Sequence, residues 1–162
     1  QGNTDGTFKP GNNVNRAEFS KMLVEASDLD YASLPPEELS LCFTDVRDLP
    51  DHWFAPAVCA AKNQGWVGGY ENGGFSPNQN INRAEALKIL LNAFDFEVPE
   101  NSEIAEAPYP DVNMNDWFLS VAAVAKENGI VKGVGSFSAG NPVTRGQISQ
   151  MIYNAMRAKG LL

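Results

Sequence analysis

One nine-residue block recurs three times along this chain. It reads Phe8-Lys-Pro-Gly-Asn-Asn-Val14-Asn15-Arg16, then Phe75-Ser-Pro-Asn-Gln-Asn-Ile81-Asn82-Arg83, then Phe137-Ser-Ala-Gly-Asn-Pro-Val143-Thr144-Arg145. With ordinary residue usage, the pattern Phe-x5-[Val/Ile]-[Asn/Thr]-Arg should occur by chance at roughly 1 in 10⁴ to 10⁵ starting points. Three copies at nearly equal intervals make the chain a tandem array. That constrains the fold more than composition does, because a unit this small cannot bury its own apolar face and its neighbours must cover it.

A second block occurs twice. Phe43-Thr-Asp45-Val46, Trp53-Phe54, Ala57, Ala60, Ala61 and Gly65 form one copy. Tyr109-Pro-Asp111-Val112, Trp117-Phe118, Val121, Val124, Ala125 and Gly129 form the other. The organisation follows: residues 1–27 are the second half of a first repeat, 28–42 a linker, 43–96 a second repeat, 97–107 an acidic linker expected to be mobile, and 108–162 a third repeat.

Each Arg block opens a helix. Asn15-Arg-Ala-Glu18, Asn82-Arg-Ala-Glu85 and Thr144-Arg-Gly-Gln147 all have the form of a capping box. In it the cap side chain accepts from the N3 amide and the N3 side chain reaches back. Beyond the caps, Phe19, Met22, Leu23 and Ala26 recur at helical spacing, as do Ala86, Ile89, Leu90 and Ala93, and Ile148, Met151, Ile152 and Ala155. That predicts one apolar stripe per helix. The Trp blocks predict a second set of helices, starting near Asp51 or Asn115 and ended by Gly65 or Gly129. Trp53, Ala57, Ala60 and Ala61, and their counterparts, would form a narrow small-residue face. Between the two kinds of helix lies a Gly-rich loop, fullest in Gly65-Trp-Val-Gly-Gly-Tyr70-Glu-Asn-Gly-Gly-Phe75. Outside the repeats, Pro35-Pro36-Glu-Glu-Leu39 is placed to open a short helix.

Phe-x-Asp-Val, then Trp, then Gly-Tyr-x-x-Gly-x-Phe-x-Pro, then Thr/Asn-Arg-Ala-Glu resembles the S-layer homology repeat. The resemblance covers nearly the whole chain outside the two linkers. It implies a mainly α fold: tandem helix-loop-helix repeats packed as a pseudo-threefold spindle around a central helical bundle. It also implies a non-catalytic module that binds secondary cell-wall polysaccharide on a bacterial surface, often through a pyruvylated sugar held in grooves between repeats. The motif Arg maps to Arg16, Arg83 and Arg145. Physical chemistry suits that role, since a guanidinium forks onto a carboxylate and a helix N-terminus adds free amides and a positive dipole end. Gly69, Tyr70, Trp53 and Trp117 come next, as groove wall or sugar-stacking surface, although large aromatics such as Trp53 and Trp117 are expected chiefly as core anchors.

This sequence departs from the family pattern in places. The first repeat lacks its Phe-x-Asp-Val and Trp half. The third reads Thr-Arg-Gly-Gln and its loop lacks the Tyr. Only the second repeat carries every motif, so Arg83 leads the candidates, Arg16 follows and Arg145 comes last. The incomplete first repeat also admits another reading, a self-assembling surface subunit in which a neighbouring copy of the chain completes it.

Composition bounds the partners. The 162 residues carry 12 basic and 20 acidic side chains, a formal charge of −8. A duplex nucleic-acid binder needs a basic face, and none is present. No apolar run is long enough to insert in a membrane. One histidine and two cysteines fit no metal motif, and Asn3-Thr-Asp5-Gly6 has neither the spacing nor the later Glu of a calcium loop. No catalytic constellation and no cofactor motif appears. Asp45 and Asp111 are expected to cap the helix that follows each. Cys59 aligns with Ala123, which favours a small buried residue; a Cys42–Cys59 disulfide is the less favoured alternative, open to a chain outside the cell.

Overall fold

A computed structural model describes residues 6–31, 35, 41–48, 52–132 and 134–162. Among them are six α-helices and no strand longer than a single bridge, so the chain is mainly α. The helices are α1 (Arg16–Ala26), α2 (Thr44–Arg47), α3 (Ala55–Asn63), α4 (Arg83–Ala93), α5 (Leu119–Glu127) and α6 (Arg145–Ala158). The helix expected around Pro36–Leu39 and the start expected at Asp51 lie outside the described residues, as does most of the segment Asn3–Gly6.

The chain divides into two compact units. One is Asn15–Ile81; the other joins Gln1–Val14 to Asn82–Leu162. The divisions fall immediately before the N-caps of α1 and α4. In the first unit α1 packs on α3, and α2 on α3. In the second, α4 packs on both α5 and α6.

The capping boxes form as the sequence predicts. Asn15, Asn82 and Thr144 each accept from the N3 amide, and Glu18, Glu85 and Gln147 each return the bond. Removing such a cap costs about 1 kcal/mol. Gly65 and Gly129 close α3 and α5 at φ +72° and +65°, the left-handed C′ geometry that glycine adopts without a Cβ clash.

The Trp blocks differ from expectation at their start. α3 and α5 begin at Ala55 and Leu119, so Trp53 and Trp117 precede the helices rather than lying on their small-residue faces. Ala57, Ala60 and Ala61 are buried as expected. The Arg-block helices also bury more than one stripe. In α1, Ser20 and Val24 are fully buried beside Phe19 and Leu23; in α4, Leu87 and Leu91 are buried beside Ala86 and Leu90. A second helix packed alongside covers these extra positions. Only α6 keeps the stripe read from sequence: Ile148, Met151, Ile152 and Ala155.

The linker 97–107 is anchored at one residue. A 3-10 turn at Asn101–Glu103 presents Asn101, whose side chain donates to the Asp116 carbonyl at 2.9 Å and accepts from both the amide and hydroxyl of Ser120. Cys42 and Cys59 are bonded, with Cα atoms 5.4 Å apart, and staple the start of the Trp block that opens at Phe43 to α3. The disulfide fits an oxidising compartment.

Candidate functional site

Each Arg-block helix starts against the loop of a different repeat. The N1 and N2 amides of α1, on Arg16 and Ala17, donate to Gln79 O and Pro77 O of the second repeat at 2.9 and 3.0 Å. Those of α4, on Arg83 and Ala84, donate to Asn141 O and Ala139 O of the third. Those of α6, on Arg145 and Gly146, donate to Asn12 O and Pro10 O of the first. The N3 amides go to the cap side chains. The free helix-end amides expected to receive an anion are therefore already taken by neighbouring loops. Each receiving loop turns through a left-handed residue at the same place: Lys9, Ser76 and Ser138, at φ +50°, +56° and +58°.

The arginine side chains diverge. Arg16 is only 6% exposed. Its Nε donates to Phe75 O at 2.8 Å and its Nη2 to Gly68 O at 3.1 Å. The guanidinium lies 4.5 Å from the Phe75 ring centroid and 5.1 Å from that of Tyr70. Arg145 makes the same first contact: its Nε donates to Phe8 O at 2.9 Å, and the group lies 5.0 Å from the Phe8 ring. Arg83 lies 5.7 Å from the Phe137 ring, and its Nε is buried with no hydrogen-bond partner. Burial lowers the Arg83 pKa, partly offset by Tyr109 beside it.

Tyr70, which the sequence placed in the repeat of Arg83, serves Arg16 instead. Tyr70 stacks under Arg16, and its hydroxyl donates to Gln79 Oε1 at 3.2 Å. Gly69 is a packing position: a Cβ there would come within 2.7 Å of both Gly74 O and the Phe43 ring.

The carboxylates Asp45 and Asp111 hold loops rather than cap their own helices. Asp45 accepts from the amides of Phe75 and Ser76, both at 2.7 Å. Asp111 accepts from Phe137 and Ser138 at 2.7 and 2.8 Å. The Ser138 and Phe137 amides hold the Asp111 carboxyl below the usual aspartate range.

Trp53 and Trp117 are not core anchors. They are 53% and 54% exposed, each set edge-on to the following Phe. An ammonium lies over each indole: Lys21 Nζ is 5.6 Å from the Trp53 centroid and Lys88 Nζ is 5.4 Å from that of Trp117. Lys21 and Lys88 occupy the same position in α1 and α4, five residues after the arginine. Sequence reading missed both lysines. The signal was there, as a Lys at that place in exactly those two helices matched to a Trp block; α6 has Gln150 instead. Among the described residues no cluster of ligating side chains could hold a metal ion, and no helix is long and apolar enough to cross a membrane.

The model of the S-layer homology domain matches residues 1–20, 43–87 and 108–148. The chain belongs to the S-layer homology family. Its similarity extends to a surface-layer 125 kDa protein of Lysinibacillus sphaericus, 32% identical over 134 residues that make up 82% of this chain and 10% of that protein. An amylopullulanase of Thermoanaerobacterium thermosulfurigenes is 29% identical over 99% of this chain and 8% of its own length. An S-layer protein of Bacillus anthracis is 27% identical over 94% of this chain and 18% of its own length. The chain thus spans a small fraction of the length of these relatives.

Proposed function

We propose that this chain is a non-catalytic anchoring module at a bacterial cell surface, and that it holds an anionic wall polysaccharide through two equivalent Trp–Lys surfaces. The observation that carries this reading is the exposed indole with an ammonium over its face, built twice: Trp53 with Lys21 and Trp117 with Lys88. An exposed indole offers a flat apolar face to the C–H side of a sugar ring. The lysine over the ring's other face can reach round to neutralise a carboxylate on that sugar, such as a pyruvate ketal. Arg83 is the remaining candidate donor, because its side chain is only half-buried and makes no hydrogen bond to the loop it meets, so the outer guanidinium nitrogens are left for a ligand. Arg16 and Arg145 hold loops through the Phe75 and Phe8 carbonyls and are assigned no direct ligand contact. Localisation outside the cell accords with the family and with the Cys42–Cys59 bond.

The test is titration with purified wall polymer before and after removal of pyruvate. Trp117→Ala and Lys88→Gln should each weaken binding to the pyruvylated polymer about tenfold, equivalent to about 1.4 kcal/mol. Both residues are solvent-facing, so folding should be unaffected. Equal affinity for the two polymers would remove the carboxylate from the proposal, and full affinity in the Trp53→Ala/Trp117→Ala double variant would remove the indoles.

A further inference from the structure

Arg16 and Arg83 each sit at a joint where an Arg-block helix meets the loop of the next repeat and a Trp block closes over that loop. The two joints correspond residue by residue. Phe43 stacks on Phe75 with ring centroids 5.0 Å apart, and Tyr109 lies against Phe137 at 5.4 Å. Lys62 sits over the Phe43 ring at 5.0 Å and Lys126 over that of Tyr109 at 5.1 Å. Asp45 and Asp111 hold the two loops by the same pair of amides. Counted from the C′ glycines, Gly65-Trp-Val-Gly68 matches Gly129-Ile-Val-Lys132, so Gly68 and Lys132 occupy one place in the repeat. The residues just before them, Val67 and Val131, are both buried.

At that place the joints bond differently. The Gly68 carbonyl accepts from Arg16 Nη2 at 3.1 Å. The Lys132 carbonyl accepts from the Tyr109 hydroxyl at 2.8 Å. Phe43 has no hydroxyl, so its joint leaves the carbonyl to the arginine. Tyr109 is buried, and a buried phenol needs a partner that solvent cannot supply. The shorter loop still presents its carbonyl; what differs there is the donor. Arg83 makes neither of the two bonds that Arg16 makes, and its guanidinium stands 5.7 Å from the Phe137 ring centroid against 4.5 Å for Arg16 over Phe75. The two groups are neighbours: burial raises the Tyr109 pKa, and the Arg83 charge offsets part of that rise.

We propose that Tyr109 is a positioning residue for anion recognition: its hydroxyl takes the loop carbonyl that tethers the arginine in the other joint, and so leaves the Arg83 guanidinium to fork onto a carboxylate of the wall polymer. This rests on the assignment of Arg83 as a polymer contact. One oxygen atom then sorts the two arginines. The joint built with Phe43 turns Arg16 into a strut, and the joint built with Tyr109 turns Arg83 toward a ligand. The first residue of each Trp block in this chain, Phe or Tyr, tells which task the arginine of the preceding repeat performs.

The experiment uses the 162-residue chain and its Tyr109→Phe, Arg83→Ala and Tyr109→Phe/Arg83→Ala variants. Tyr109→Phe removes one oxygen and keeps the ring against Phe137. Nitrogen-15 NMR of the arginine side chains, without ligand, reads the guanidinium directly. In Tyr109→Phe, Arg83 should take the Lys132 carbonyl, and exchange of its Nη protons should slow about fivefold, the equilibrium effect of one net hydrogen bond. The Arg16 signals should stay as they are. In titrations with purified pyruvylated wall polymer, Tyr109→Phe and Arg83→Ala should each weaken binding about fivefold. The double variant should be no weaker than Arg83→Ala, because both changes act through one group. Unchanged Arg83 exchange in Tyr109→Phe would overturn the proposal. So would additive losses in the double variant, since Tyr109 would then act on binding through the fold at large. Full binding by Arg83→Ala would instead remove Arg83 from recognition, and the ligand half of the proposal with it, even where Tyr109→Phe still slows Arg83 exchange. The NMR therefore tells the two failures apart.

Discussion

Arg16 and Arg83 stand in the same local sequence, Asn-Arg-Ala-Glu, at the first position of helices of equal length, yet they do different things. Arg16 is buried and bonded to two carbonyls; Arg83 keeps a buried Nε with no partner. The difference comes from the loop each one meets. Arg16 meets the long loop Gly65–Phe75, which brings Gly68 O and the Tyr70 ring to it. Arg83 meets Gly129–Phe137, which is two residues shorter and has no Tyr. A repeat motif therefore fixes where a side chain starts, while the next repeat along decides whether it becomes a strut or is left without a bond to the loop.

The largest effect should come from breaking the strut. Arg16→Ala would leave the Phe75 and Gly68 carbonyls without their donor and remove the group packed on Phe75 and Tyr70. We expect about 4 kcal/mol of destabilisation, seen as a lower Tm and faster hydrogen exchange throughout Asn15–Ile81. Lys in place of Arg16 should recover little, since an ammonium cannot span both carbonyls. Arg83→Ala should cost less than about 1 kcal/mol, because its Nε has no bond to lose, while weakening polymer binding. If both substitutions destabilise equally, the contrast between the two joints is wrong.

The disulfide lies only on the Arg16 side. Reducing Cys42–Cys59, or replacing both by Ser, reopens a loop of 17 residues and should cost about 3 kcal/mol. Exchange should accelerate in α1 and α3 and not in α5, whose block is held by Asn101 instead. Uniform acceleration in both units would show that the staple acts on the chain as a whole.

How much of this was legible in sequence follows from the range of each interaction. The capped helix starts could be read because Asn15 and Glu18 are three residues apart and their bonds are local. The C′ glycines were legible for the same reason. The partners of the arginines were not, since 59 residues separate Arg16 from Phe75 and the repeat pattern suggested pairing within a repeat. The exposure of Trp53 and Trp117 was hidden by the usual burial of large aromatics; both end in the turn before the helix, one position off its packed face. The tie at Asn101 could not be read from an acidic linker with no periodicity.

Exchanging the loops sharpens the comparison. Replacing Gly129–Phe137 with the eleven-residue sequence of Gly65–Phe75 should give Arg83 a carbonyl partner and a Tyr face. We expect about 1 kcal/mol of added stability in the second unit and weaker binding of anionic polymer. A stabilised protein that binds polymer unchanged would show that Arg83 takes no part in recognition.

The smallest effect is in pH. The Ser138 and Phe137 amides stabilise the Asp111 carboxylate, so its folded pKa lies below the ordinary value of 3.8. A depressed carboxylate contributes its stability fully above the unfolded value and loses it as pH falls through the folded one. The loop that receives Arg83 should therefore hold down to about pH 4 and loosen below it, read as faster exchange at the Phe137 and Ser138 amides. Asp111→Asn should remove that dependence, because the amide side chain does not titrate, and leave the loop less protected at neutral pH. The Phe75 and Ser76 amides, held by Asp45 in the other unit, are the internal reference. If they respond to Asp111→Asn as strongly as Phe137 and Ser138 do, the two joints are coupled rather than set independently by their own loops.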